Sequence, residues 1–181
     1  MPWAHPHLPN QGLTDEWWTP PHVFDALGLA FDLDPCAPPE GCADWLPVAK
    51  RYTREQDGLS LPWEGRVWLN PPYGRAAAAW VRRLAEHGHG IALVFSRTDV
   101  RWWHEAAPRA TAVCFIRGRL TFIPGAGQSA SGNSGGPSAM LAYGEDCAEA
   151  VERSGLGLAY RTLVTATTEE RNEDGTIPDA G

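Results

Sequence analysis

Short apolar runs alternate with amphipathic stretches along this chain. Strand-length apolar runs predict β-strands at residues 30–33, 66–69, 91–95, 111–116, 139–143 and 157–163. Apolar residues at helical spacing predict a turn and helix over 15–27, and helices over 75–86, 100–107 and 146–153. Strands that alternate with helices are typical of three-layer α/β folds. We therefore predict a compact single domain with a mostly parallel, Rossmann-like sheet.

Proline and glycine indicate where several of these elements begin and end. Thr19 is placed to cap the first helix, with Pro20 or Pro21 in its first turn. Residues 36–63 are rich in proline and glycine, which predicts loops with no long helix. We expect residues 119–122 to continue the preceding strand into a hairpin.

Three segments lack the pattern of a packed core. Residues 1–14 predict an irregular arm, and residues 165–181 predict a disordered acidic tail. Residues 125–138 are rich in glycine and serine, which predicts a flexible loop within the folded domain of residues 15–164. We expect this loop to order over the substrate as a flap.

Composition narrows the choice of compartment and partner. The net charge of −7 weakly disfavours a nucleic-acid partner, but the acidic residues concentrate near the C-terminus. Lys50 is the only lysine, and arginine favours bidentate contacts with phosphates and bases. The four cysteines lack metal-ligand spacing, and no segment has the pattern of a signal peptide or membrane span. We expect a cytoplasmic monomer without a metal ion.

Residues 69–74 read Leu-Asn-Pro-Pro-Tyr-Gly directly after a predicted strand. Open α/β sheets bind ligands at the carboxyl ends of their strands, where Asn70 would lie. The Asn70 amide oxygen and the Pro71 carbonyl can accept both hydrogens of an amino group, and Pro71 and Pro72 make this backbone rigid. Tyr73 can offer a flat face to a base taken out of the stack. The motif is typical of amino-group methyltransferases that use S-adenosylmethionine, although a simple Pro-Pro turn also fits it.

Two carboxylates are candidates for the cofactor side of such a site. Asp34 ends a predicted strand before Pro35, where it can bind amino or hydroxyl groups and suits a sulfonium charge. Asp57 precedes Gly58 and can accept the adenine amine of a cofactor. Each also fits an ordinary role, in a loop before proline or in an Asp-Gly turn. The segment Trp17-Trp18-Thr19-Pro20 can cover the cofactor or pack at the entry to the first helix.

Six segments follow one another in a recognisable order. They are Asp15-Glu16-Trp17-Trp18-Thr19-Pro20, Phe31 to Ala37, Asp57-Gly58-Leu59 with Trp63, Asn70 to Tyr73, Arg97-Thr98-Asp99, and Gly118 to Phe122. In this order they resemble the phage-type DNA N-6-adenine methyltransferases, which are related to the Dam enzymes. The resemblance covers about residues 15–143, and the ordered set is more specific than any one motif.

The resemblance implies a methyltransferase sheet with S-adenosylmethionine as cofactor and double-stranded DNA as partner. It places a cofactor group and a target-base group on this chain: Trp17, Thr19, Pro20, Asp34, Pro35 and Asp57 for the cofactor, and Asn70, Pro71, Pro72 and Tyr73 for the base. It also implies a DNA-facing group of four arginines with a tryptophan for stacking, which comprises Arg97, Arg101, Arg117, Arg119 and Trp102. For each arginine, a solvated surface position fits equally well.

One segment departs from methyltransferases in general, because no glycine-rich turn follows the first strand. We expect the Thr19-Pro20 region to hold the carboxyl end of the cofactor instead. We also expect no nucleophilic cysteine beside a proline, which argues against methylation of the cytosine ring carbon.

We therefore predict S-adenosylmethionine-dependent methylation of the adenine N6 amino group in DNA, by base flipping and direct transfer. One alternative is an amino methyltransferase that acts on cytosine, RNA or a protein glutamine. The other is a phage protein that binds DNA or cofactor without turnover.

Overall fold

The computed structural model describes residues 17–72, 74, 76–125 and 135–163. These residues form nine β-strands and four α-helices. The strands are β1 Trp17–Trp18, β2 Phe31–Asp34, β3 Val48–Arg51, β4 Val67–Leu69, β5 Gly90–Phe95, β6 Ala112–Ile116, β7 Ile123–Pro124, β8 Ser138–Tyr143 and β9 Gly157–Arg161. The helices are α1 Pro21–Leu27, α2 Ala77–His87, α3 Arg101–Ala106 and α4 Glu145–Arg153. Within the described ranges, no helix has the length and apolar character needed to cross a membrane.

Seven strands form a mixed sheet in the order β3-β2-β4-β5-β8-β6-β9. The pairings from β3 to β5 are parallel, and the three pairings that involve β8 and β9 are antiparallel. The prediction of a mostly parallel sheet is therefore wrong for half of the pairings. A parallel return requires a long crossover, usually a helix. The described part of the connection from β6 to β8 contains no helix, and β8 returns antiparallel; β9 then follows α4 and runs in the direction of β8.

Helices cover both faces of this sheet, as predicted for a three-layer fold. On one face, α1 and α4 bury side chains such as Phe24 and Val151 against Phe31 and Trp68. On the other face, α2 and α3 bury side chains such as Leu84 and Trp103 against alternate residues of the same strands. The two faces alternate along β5, where Ile91 and Leu93 point to the first cluster and Ala92 and Val94 to the second. Burial on both sides explains why β5 reads as a continuous apolar run.

The sequence predicted most elements to within a few residues but missed β3. This strand pairs in parallel with β2 inside the region expected to contain only loops. Its residues Val48, Lys50 and Arg51 are exposed or half-buried, so the strand lacks the apolar pattern by which strands are recognised.

Two local predictions near the first helix and the 119–122 segment are wrong. The cap of α1 is Pro20 with Pro21 as its first residue, and no cap hydrogen bond from a side chain is present. Thr19 thus lies one position too early to cap the helix. Residues 119–122 form no strand; Leu120 and Phe122 are buried in the core, and the short β7 that follows pairs with β1. The predicted arm, the acidic tail and residues 126–134 of the predicted flap lie outside the described residues.

Gly90 begins β5 at a point where the backbone of β4 leaves no room for a side chain. Its φ is +147°, and a Cβ there would lie 2.3 Å from the Val67 carbonyl oxygen. We expect Gly90→Ala to lower the free energy of unfolding by about 3 kcal/mol, because rigid backbone must move to relieve the clash. Gly88→Ala is the matched control, since Gly88 also has positive φ but open space around it. It should cost about 1 kcal/mol in urea denaturation, and equal costs for the two variants would contradict this account.

Candidate active site

The carboxyl ends of three adjacent strands, β3, β2 and β4, open onto one cavity of about 680 Å³. This volume lies in the range typical of pockets for small molecules and cofactors. The lining comes from the loops after the three strands, from β1 and from the start of α2. The lining residues used below are Trp17, Trp18, Thr19, Asp34, Pro35, Cys36, Asp57, Gly58, Asn70, Pro71 and Pro72.

The side chain of Asn70 is fixed in one orientation at the cavity wall. Its Nδ2 donates a hydrogen bond of 2.7 Å to the main-chain carbonyl of Trp17. Only the amide nitrogen can face that carbonyl, because two oxygens would repel each other, so the assignment of the amide is unambiguous. The Oδ1 atom of Asn70 is buried and has no hydrogen-bond partner in the described structure. Oδ1 is therefore a buried hydrogen-bond acceptor whose orientation is fixed by the hydrogen bond that Nδ2 of the same amide donates.

Two further unpaired polar atoms belong to the cavity lining. The Thr19 hydroxyl and the Trp18 indole nitrogen are buried and have no hydrogen-bond partner among the described residues. The Trp45 indole donates to the Thr19 carbonyl at 2.9 Å, which anchors the main chain beside them. A buried polar group without a partner costs about 1–3 kcal/mol. Three such atoms among the described residues belong to side chains that line this one cavity, and each is available to a polar ligand.

Asp34 lies at the end of β2 and is only 2% exposed. Burial raises its pKa to about 7, although the Cys36 main-chain N–H, which Asp34 accepts at 3.0 Å, and the nearby Arg51 guanidinium act in the opposite direction. A carboxylate this poorly solvated gains from a ligand that brings hydrogen-bond donors or positive charge.

Comparison with known protein families identifies the family of this chain. The chain matches the family model described as DNA N-6-adenine-methyltransferase (Dam) over residues 7–174. The chain belongs to this family. The resemblance inferred from the ordered motifs is thereby confirmed, and the family methylates the N6 amino group of adenine in DNA. No curated protein and no solved structure matches the chain.

In this Dam-family chain, the cavity gathers most of the residues singled out for cofactor and target base. Trp17, Thr19, Asp34, Pro35 and Asp57 all line it, together with Asn70, Pro71 and Pro72. Pro20 does not; it is buried as the cap residue of α1. Tyr73 lies outside the described residues.

The turn at Asp57 and Gly58 is held tightly against the end of β2. Asp57 is exposed with a φ of +50°, and a Cβ on Gly58 would lie 1.8 Å from the Pro35 carbonyl oxygen. The Trp63 indole donates to the Gly58 carbonyl at 2.8 Å. Asp57 and Gly58 therefore form the turn that the sequence predicts, and the same turn places Asp57 at the cavity.

The residues expected to face DNA lie apart from the cavity lining. Arg97 follows β5 and Arg117 follows β6, so both lie at the same sheet edge as the cavity, and both are exposed. Arg101 is exposed but pairs with Glu105 at 2.6 Å within α3. Arg119 is exposed and also makes contacts within the protein. Trp102 is half-buried, with its ring 5.8 Å from that of Trp103.

Sequence reasoning included Trp18 in the segment that could cover the cofactor, but it missed Cys36 as part of the site. Trp18 stands within a quoted motif, but nothing in the sequence distinguishes its buried indole nitrogen from that of a packing tryptophan. Cys36 does follow a proline, so the expectation that no cysteine stands beside one was wrong. Burial and the neighbouring Asp34 carboxylate raise the pKa of the Cys36 thiol well above its ordinary value. A protonated thiol is a poor nucleophile, so the argument against cytosine ring-carbon methylation stands on this ground instead.

A second polar cluster lies at the opposite edge of the sheet. His89, Asp146 and Cys147 bring potential metal-ligand atoms within 4.8 Å of one another. Arg66 already donates to Asp146 through Nε at 2.9 Å. Although burial opposes it, hydrogen bonds from Arg66 and His89 hold the pKa of Asp146 well below its usual range. We interpret this cluster as an ion pair that ties the start of α4 to the sheet.

The raised pKa of Asp34 predicts a pH-dependent stability. The unfolded carboxyl group ionises near its ordinary value of 3.8, whereas the folded group keeps its proton to about pH 7. The folded state therefore binds more protons in this window, and stability falls as pH rises from about 4 to about 7, by on the order of 4 kcal/mol. Asp34→Asn should remove most of this fall in chemical denaturation of the ligand-free protein. Asp25→Asn, which changes an exposed residue of α1, is the control, and equal slopes in all three proteins would contradict the prediction.

Proposed function

We propose that this Dam-family protein transfers the methyl group of S-adenosylmethionine to the adenine N6 amino group of DNA, and that the cavity holds both the cofactor and the target base. The observation that carries the proposal is the buried Oδ1 of Asn70, which has no hydrogen-bond partner among the described residues and which the bond to the Trp17 carbonyl holds in place. A fixed acceptor of this kind is complementary to an amino group.

The chemistry of the adenine amine explains why such an acceptor is needed. The nitrogen lone pair is delocalised into the ring, and hydrogen bonds from both amine hydrogens favour its release toward the methyl donor. Asn70 Oδ1 would accept one hydrogen and the main-chain carbonyl of Pro71 the other. Because both acceptors are fixed before the reaction begins, they stabilise the developing positive charge without reorganisation.

The other part of the cavity suits the cofactor. S-adenosylmethionine would supply a methyl group activated by its sulfonium charge. Asp34 would bind a donor or positive charge of the cofactor, and such a partner would favour the ionised carboxylate that burial alone disfavours. The unpaired hydroxyl of Thr19 would bind a polar group of the cofactor's amino-acid end. Asp57 at the turn would accept from the adenine amine of the cofactor.

The depth of the acceptor implies how the substrate arrives. Asn70 Oδ1 is buried at the wall of a cavity, where a base within a duplex could not reach it. We therefore infer that the target adenine is flipped out of the helix, at a cost of a few kcal/mol for unstacking. In this proposal Tyr73 stacks on the flipped base.

Arg97 and Arg117 extend the site toward the DNA backbone. Both follow strands that point toward the cavity edge, and β6 lies three strands from β4, a separation of about 14 Å. The segment after Arg117 leads to β7, which pairs with β1 at the cavity. We propose that exposed arginines on this path contact phosphates on either side of the flipped base.

Replacing Asn70 tests the acceptor. Asn70→Ala should lower methyl transfer at least about 100-fold while cofactor affinity changes little, because Asn70 is assigned to the acceptor base. Asn70→Asp keeps oxygen acceptors but loses the donor to Trp17, so its rate should lie between those of the parent and the alanine variant. Single-turnover rates and calorimetric cofactor titration measure both effects. An alanine variant within a few-fold of the parent rate would remove Asn70 from the mechanism.

Salt dependence tests the DNA surface. The double variant Arg97→Gln/Arg117→Gln should bind DNA more weakly, with the slope of log affinity against log salt reduced by roughly one unit per lost phosphate contact. Arg109→Gln is the matched control, because Arg109 is exposed at the opposite sheet edge before β6. If the double variant keeps the parent's slope, the two arginines do not contact phosphate.

A further inference from the structure

Cys36 lies between the two halves of the proposed site. Its main-chain N–H donates to Asp34 Oδ1 at 3.0 Å, and its thiol donates to the main-chain carbonyl of Asn70 at 3.2 Å. Cys36 is half-buried and lines the cavity. One short loop thus contacts both Asp34, which would bind the cofactor, and Asn70, which would hold the target base.

The contact with Asn70 acts on the peptide that leads into the Pro-Pro segment. The Asn70 carbonyl belongs to the peptide that precedes Pro71, and Pro71 has no N–H with which to anchor itself. The Asn70 amide is held separately, by the Trp17 carbonyl. The thiol therefore fixes the main chain of Asn70, and the Trp17 carbonyl fixes its side chain.

We propose that Cys36 is a positioning residue. It sets the hydrogen-bond acceptor at Asn70 relative to the Asp34 side chain, which would bind the cofactor. This inference rests on the function proposed above. The neutral thiol of Cys36 donates one hydrogen bond, to the Asn70 carbonyl, and forms no bond with the substrate. Its effect on catalysis passes through Asn70 and Asp34.

Sulfur suits the distance that the loop must bridge. Hydrogen bonds between hydroxyl and carbonyl groups are usually about 2.7–2.8 Å long, and the C–O bond of serine is shorter than the C–S bond of cysteine. A serine would therefore bridge the 3.2 Å separation only after the loop moved closer to Asn70. Serine would keep the donor with altered spacing, whereas alanine would remove it. The two substitutions therefore separate the loss of the hydrogen bond from a change in its length.

The test compares Cys36→Ala and Cys36→Ser with Cys42→Ala. Cys42 is also half-buried but does not line the cavity, which makes it the matched control. In steady-state methylation of duplex DNA by S-adenosylmethionine, Cys36→Ala should lower kcat about 10-fold, as expected for one lost hydrogen bond at the reacting group. The KM for DNA should stay within about twofold. Cys36→Ser should recover most of the lost rate, and Cys42→Ala should match the parent.

A second measurement separates positioning from simple packing. If Asp34 must be ionised to hold the cofactor, cofactor affinity should fall on acidification through the pKa of this group. The groups that act on Asp34 are Arg51 from β3 and Cys36 in the following loop, and both favour ionisation. Cys36→Ala keeps the main-chain N–H that Asp34 accepts and loses only the thiol that donates to Asn70, so the midpoint of cofactor binding should stay at the parent's pH. Cys42→Ala should leave the midpoint in place.

Each outcome either supports or overturns the proposal. If the parent transfers no methyl group, the proposed function fails, whatever Cys36 does. If the parent is active and Cys36→Ala matches it in rate and midpoint, the proposal for Cys36 is overturned. Slower turnover with a shifted midpoint, or an equal loss in Cys42→Ala, would also overturn it, because either result would indicate a general packing role. Should thermal denaturation show that Cys36→Ala does not fold, Cys36→Val, which also lacks the donor, takes its place in both measurements.

Discussion

The hydrogen bond from Asn70 to the Trp17 carbonyl is the contact on which the proposed chemistry depends. It sets the direction of the amide, and so leaves Oδ1 as a buried acceptor. The carbonyl is itself held by the short ladder between β1 and β7. The clamp at Asn70 is therefore supported by two distant parts of the chain, namely the strand before α1 and the strand after the Arg117 segment. Any movement of that ladder would turn the amide.

The polar groups of the candidate site lower the free energy of unfolding of the ligand-free protein. The parallel strands β3, β2 and β4 bring Asp34, the Asp57 turn and Asn70 to one sheet edge. There the protein leaves polar atoms unpaired and buries a carboxylate, both of which are unfavourable without a ligand. Both layers of helices around the sheet offset this by burying apolar side chains. Functional sites commonly contain such locally unfavourable groups, which favourable packing elsewhere in the protein offsets.

Sequence reasoning was most successful where one signal decides the outcome. The apolar run of β5 and the Asn-Pro-Pro-Tyr segment each stand out locally, and the order of motifs predicted the family. It failed where tertiary contacts decide. The polar strand β3 forms because β2 offers it an edge, and the position of β8 between β5 and β6 depends on the long connection before it. The role proposed for Cys36 rests on a contact with a residue 34 positions away, which no local pattern encodes.

The central claim is that the cavity directs methyl transfer to the N6 amine of adenine in DNA. Its most direct test is to incubate the purified protein with duplex DNA and S-adenosylmethionine bearing a deuterated methyl group, then digest the DNA and identify the labelled nucleoside by mass spectrometry. The account predicts that the label appears in N6-methyl-2′-deoxyadenosine with the parent protein and is absent with Asn70→Ala. Label in a methylated cytosine, or equal labelling by the parent and Asn70→Ala, would contradict the account.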